Sequence, residues 1–241
     1  MTSLLSRLRR PRHRPRPRLS ARWRRYLIRV SAYYRRLPPD VSLVFEEGLQ
    51  RFLAERQITG IRMKLNAELR LLAAASAATL SAGWKGYRWS QVSEVLIYPD
   101  YFDRDFVIGP RELAGLADSW GTIVLSAPAL RHSFEQADDG YHAGLHEFAH
   151  LLQEPASLHG VPRGLGTAEI REWDAIQSKE MEAVQLGRSV LDPYGGSTPR
   201  EFFPVAVEAF FEQPVLMRER HGSLYSFLRG YFGQDPAVWA G

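Results

Sequence analysis

His146-Glu147-Phe148-Ala149-His150 sets two imidazoles four residues apart, with a carboxylate directly after the first. The stretch around it, YHAGLHEFAHLLQ, carries apolar residues at helical spacing. On a helix, positions i and i+4 stand one turn apart on one face, so His146 and His150 can grip one ion. Glu147 sits where it can reach a metal-bound water without ligating the metal. The ion this set suits is zinc, one per chain, and a catalytic zinc site takes a third protein ligand plus water. Leu145, Phe148, Ala149, Leu151 and Leu152 should draw the helix into a core, where a histidine pair needs partners. The bland alternative is an amphipathic helix with its polar residues turned to solvent.

The third ligand must come from elsewhere. The extended motif H-E-x-x-H-x-x-G-x-x-H is excluded, because the later positions hold Gln153 and Ala156. Glu169 and Glu172 lie about twenty residues downstream, but in a charged segment that reads as a solvated helix start. A helix expected over 199–212 offers Glu201, Glu208 and Glu212. Thr198 as N-cap with Glu201 three residues on forms a capping box, which gives Glu201 a structural role. Glu212, at the far end, is expected to be exposed. Glu208 stands among Val205, Ala206, Val207, Ala209, Phe210 and Phe211, a carboxylate in an apolar run whose burial a metal would offset. Glu208 is therefore the expected third ligand. Pro204, inside this helix, should kink it or delay its start.

Those residues must be positioned by a chain of 241 residues, 45% hydrophobic, enough for one domain with a substantial core. There is no cysteine, which excludes disulfides and thiolate zinc sites and fits a reducing compartment. No apolar run reaches the roughly 18 residues a membrane span needs, and no apolar stretch of secretory type follows the first arginines. The net charge of +4 hides a segregation. Thirteen of the 31 basic residues are arginines within residues 1–36, a stretch without acid, leaving 18 basic against 27 acidic residues beyond it. Residues 1–22, rich in arginine and proline, are expected to form a disordered tail, and 23–241 the folded domain. The tail could contact nucleic acid or an anionic surface, or simply be solvated.

The spacing predicts helices over 23–37, 41–56 (with Asp40 as cap), from Asn66 to Gly83, around His132, and over 169–186. Short strands are predicted at IRMKL (61–65), 92–98, 106–109 and 122–126, with an irregular stretch at 154–168. Asp138-Asp139-Gly140 can start the motif helix, and His142 reads as a supporting or surface residue. The fold class is α+β, mostly helical, with a small β-sheet.

HEFAH, then LDPY, then EFF-x-V-x-x-E-x-FF, together with YRRLPPD, VLIYPDYF, GTIVLS and LYSFLRGYFGQDP, resembles the Mlc titration factor A family of zinc-dependent peptidases. The likeness covers roughly 23–236. It implies a single zincin-like metallopeptidase domain, cytoplasmic and aminopeptidase-like, with a core similar to that of anthrax lethal factor. It assigns His146, His150 and Glu208 to zinc and makes Glu147 the catalytic base. The founding member also binds the repressor Mlc, so a transcriptional regulator joins peptides as an implied partner. The chain departs from the family where Leu151-Leu152-Gln153 replaces Gln-Leu-Asp, Thr198-Pro199 replaces Asn-Pro, and Pro204 replaces an alanine. The chemistry to expect is peptide hydrolysis by zinc-activated water, with Glu147 moving the proton. Tyr194, in the LDPY loop, is the candidate donor to the developing oxyanion. A regulatory protein whose zinc site is only structural is the competing expectation.

Overall fold

The computed structural model describes residues 19–103, 105–108, 113–118 and 120–240. Of the arginine-rich tail expected over 1–22, residues 1–18 lie outside the described residues. The first helix starts two residues earlier than its pattern suggests: α1 (Ala21–Val30) is capped by Ser20. Ser31 then ends α1 and caps α2 (Ala32–Arg36), so the single helix expected over 23–37 is two. Arg24 is held by Glu46 at 2.6 Å and Tyr34 donates to the same carboxylate at 2.7 Å, tying both helices to α3 (Pro39–Glu55). Part of the basic stretch is thus structural.

Strand β1 is Gln57–Gly60, four residues ahead of the IRMKL segment where it was expected. Helix α4 (Ala67–Ser81) begins where Asn66 accepts from Leu69 N–H at 2.8 Å. Its small side chains let neighbours approach closely, and almost the whole helix is buried. Strands β2 (Glu94–Tyr98), β3 (Gly115–Ala117) and β4 (Thr122–Ser126) complete a sheet ordered β1-β2-β4-β3. The first three in that order run parallel, and β3 pairs antiparallel on the edge. Of the strand expected at 106–109, Ile108 makes one bridge to Phe102, and residue 109 lies outside the described residues.

Helix α5 (Ala127–Glu135) leads to the motif helix α6 (Ala143–His150). Then come α7 (Thr167–Gln185), a 3-10 turn at Pro193–Gly196, α8 (Pro199–Glu212), α9 (Pro214–Arg220), α10 (Gly222–Phe232) and α11 (Pro236–Trp239). One core joins α4, α6, α8 and α10, with Phe148, Trp173, Phe203, Phe210 and Phe232 at its centre. Gly144 lets α6 lie directly on α4, since a Cβ there would overlap Ser76 Oγ. The molecule is mostly helical with a small mixed sheet.

Two details place the site. Pro204 does not delay the start of α8, which is helical from Pro199 to Glu212 with the proline inside it. The loop before the 3-10 turn is pinned by a buried chain in which His221 Nδ1 meets Glu180 Oε2 at 2.6 Å and Nε2 meets Ser189 Oγ at 3.2 Å.

Candidate metal centre

Helix α6 starts later than the Asp138-Asp139-Gly140 signal suggests. His142 is its N-cap, with Nδ1 accepting from Leu145 N–H at 3.1 Å. That imidazole is buried, and burial lowers its pKa to about 3, so it is a neutral cap. One turn on, His146 and His150 stand with ring centroids 5.0 Å apart on the face turned to α8.

Helix α8 answers with two carboxylates seven residues apart, hence on one face. Glu201 Oε2 lies 3.1 Å from His146 Nε2 and 3.3 Å from His150 Nε2. Glu208 Oε2 lies 2.9 Å from the other nitrogen of His146, Nδ1, while its Oε1 accepts from His142 N–H at 2.7 Å. The structure brings Glu208 to Nδ1 of His146 and not to the Nε2 atoms of the histidine pair, where a third ligand was expected. It brings Glu201 to both Nε2 atoms. Among the described residues His146, His150 and Glu201 form the one group whose ligand atoms lie within 4.8 Å of one another. Thr198 does cap α8, accepting from Glu201 N–H at 3.3 Å, but the Glu201 carboxylate does not close the capping box. It faces the histidines instead. Glu169 plays the capping role elsewhere, accepting from Gly166 N–H at 2.7 Å, and Glu172 is exposed near it. Glu212, expected to be exposed, is buried, with Oε2 lacking a partner.

His150 is supported as His146 is: Gln153 Oε1 lies 3.2 Å from its Nδ1. Each imidazole thus has a carbonyl or carboxylate oxygen on Nδ1, leaving Nε2 to point forward. Burial alone would lower the pKa of His146, but Glu208, Glu201 and Glu147 outweigh it and raise it well above the ordinary value. Burial would raise that of Glu201, and the hydrogen bonds from His146 and His150 overcome this and hold it far below the carboxylate range. With Glu208 on Nδ1 of His146 and Glu147 nearby, carboxylates gather around the two imidazoles, which suits a cation site.

Glu147 is buried beside the cluster and packs against the edge strand. A Cβ on Gly115 would fall 2.5 Å from Glu147 Oε1, so only glycine lets β3 pass there. Burial pushes the Glu147 carboxyl up, partly countered by the two histidines. A cavity of about 190 Å³ opens beside it, with Leu113, Ala143 and Val205 as apolar wall and Tyr194 at its mouth. Tyr194 is 53% exposed, and its ring centroid is 6.0 Å from that of His146. Asp192 accepts from Tyr194 N–H at 2.8 Å and fixes the turn.

Three contributors were missed in sequence. Glu201 had its heptad spacing from Glu208 as a signal, outweighed by the capping pattern. Gln153, three residues from His150, showed only as a departure from the family pattern, and Gly115 carried no local signal because it acts through an element distant in the chain.

Comparison with known proteins matches the sequence to a family. The model of the glucose-regulated metallo-peptidase M90 family matches residues 5–233. An uncharacterized protein of Synechocystis sp. is 29% identical, over 91% of this chain and 86% of its own length. The Mlc titration factor A of Edwardsiella ictaluri is 30% identical, over 81% of this chain and 79% of its own. That of Yersinia enterocolitica is 30% identical, over 71% and 68%. With a family match across most of its length and these relatives, the chain belongs to the glucose-regulated metallo-peptidase M90 family, together with the Mlc titration factors A.

Proposed function

We propose that this protein is a zinc-dependent peptidase of the zincin type, in which His146, His150 and Glu201 hold the metal. The observation that carries this reading is the convergence of both Nε2 atoms on one Glu201 oxygen while both Nδ1 atoms are held from behind. Two nitrogens and one carboxylate oxygen are the donor set zinc takes in catalytic sites. When bound, such an ion supplies Lewis acidity, acidifying a water and polarising the scissile carbonyl.

The chain's own residues supply the rest. Glu147 takes the water's proton and passes it to the leaving amine, and its raised pKa brings it nearer the pH at which it must do both. Tyr194 O–H, at the cavity mouth, donates to the oxyanion as it develops. The apolar wall beside Glu147 receives one uncharged side chain of the substrate. Glu208 orients His146 and strengthens it as a ligand. The family resemblance supports reading the activity as aminopeptidase-like and the protein as cytoplasmic. The test is peptide hydrolysis by wild type and Glu147→Gln: cleavage by the first alone supports the reading, and equal cleavage by both refutes it.

The relatives' printed name favours a second reading, in which the chain binds an Mlc-like repressor and the metal centre is structural. A purely structural site has no use for the buried Glu147. Partner binding that survives Glu147→Gln, with no peptide cleaved by wild type, would favour this alternative. The basic N-terminal stretch could add contact with nucleic acid or an anionic surface; salt-sensitive DNA binding lost on deleting 1–22 would show it.

A further inference from the structure

A larger cavity, of about 640 Å³, shares no lining residue with the one at Glu147. Its size is that of a small-molecule site. Aromatic side chains wall it: Trp84, whose ring centroid is 5.0 Å from that of Tyr87 and 5.5 Å from that of Tyr231, and Phe227. Arg163 reaches into it. Its Nε donates to Gln153 O at 2.7 Å, but its terminal nitrogens take no partner among the described residues. Tyr87 and Tyr231 line the cavity together with Arg163. The Tyr87 oxygen accepts from Gln91 at 2.7 Å, which leaves its proton free to donate. The cavity lining therefore offers a guanidinium without an ion pair to a described residue and a phenolic proton, the complement of a carboxylate. Glu172 lines the cavity as well, its carboxylate without an ion pair to a described residue.

We infer that this cavity binds a small apolar zwitterion, a free amino acid or short peptide, with its carboxylate on Arg163 and Tyr87, its side chain among the aromatics, and its ammonium toward Glu172. The class is the one peptide hydrolysis releases, but the site itself does not depend on that activity.

The experiment is calorimetric titration of the full chain with L-phenylalanine, L-phenylalaninamide and 3-phenylpropionate. Saturable binding of phenylalanine at about 1 mM or below is expected. The amide, lacking the carboxylate, should bind roughly tenfold or more weakly, and 3-phenylpropionate, lacking the ammonium, a few-fold more weakly. Arg163→Gln should reproduce the loss seen with the amide. Because that change also removes a bond to Gln153, Gly230→Phe serves as a second variant; a Cβ there meets no neighbour, and the ring would fill the cavity. Glu201→Ala should bind phenylalanine like wild type, which separates this site from the metal centre. No saturable binding, or binding that survives Gly230→Phe, or binding lost in Glu201→Ala, would overturn the inference.

Discussion

Gln153 Nε2 donates to Arg200 O at 2.7 Å, and Arg200 O is the carbonyl that Pro204, lacking an N–H, deprives of its partner in α8. The other end of the same amide faces His150 Nδ1. One side chain thus repairs the ligand helix and orients a histidine. Both positions depart from the pattern the family resemblance sets, aspartate at 153 and alanine at 204, and the two departures fit each other. An aspartate could face His150 but could not donate to Arg200 O.

That pairing predicts non-additivity. Gln153→Ala should cost about 1–2 kcal/mol by leaving a carbonyl unsatisfied. In a Pro204→Ala background, where the helix supplies its own N–H, the cost should fall by about 1 kcal/mol. Urea denaturation of the four proteins in the cycle measures the coupling. Equal costs in both backgrounds would refute the repair.

Gly115 is predicted to be intolerant for a chemical rather than a folding reason. Gly115→Ala pushes a methyl group into the Glu147 carboxylate, so turnover should fall by roughly 100-fold. The melting temperature should change by only a few degrees, and zinc content should not change. Circular dichroism and metal analysis beside a peptide assay would separate these effects.

Glu212 should give the fold a pH dependence of unusual sign. Burial, with Asp139, Glu208 and Asp138 nearby, raises its pKa from 4.5 to about 9. The folded protein then holds a proton that the unfolded chain releases above 4.5, so this residue's contribution to stability falls as pH rises from 4.5 to 9. Glu212→Gln should abolish that slope and stabilise the protein near pH 9 by on the order of 2 kcal/mol. Parallel melting curves of the two proteins from pH 5 to 9 would contradict the account.

On the proposed role of Tyr194 as donor to the oxyanion, Tyr194→Phe should lower kcat by about 10- to 100-fold with zinc affinity intact. An unchanged kcat would return Tyr194 to a packing role at the turn.

How much of this was legible in the chain depends on how local the signal was. The motif histidines, the Asn66 cap, β2, β4 and the span of α8 are written in adjacent residues, and the helical character follows from them. Strand β3 has three residues and no alternation, and its place on the edge is set by β4. β1 lies outside IRMKL because its parallel pairing with β2, Gln57 opposite Glu94, fixes the register. Glu201 and Glu208 of α8 were hardest. A carboxylate amid phenylalanines must be buried and partnered, and Glu208 is both. Sequence cannot say that its partners are His142 N–H and the back of His146. That depends on which end of α8 lies over the open face of α6.

The most direct measurement is zinc stoichiometry and affinity of wild type, Glu201→Ala and Glu208→Ala, each checked for folding. One ion per chain is expected in wild type. Glu201→Ala should lose it, and Glu208→Ala should keep it with affinity lowered by roughly 10- to 100-fold, the usual effect of removing a residue that orients a ligand. If Glu201→Ala binds zinc as tightly as wild type while Glu208→Ala does not bind it, Glu208 is the third ligand and the centre described here is wrong.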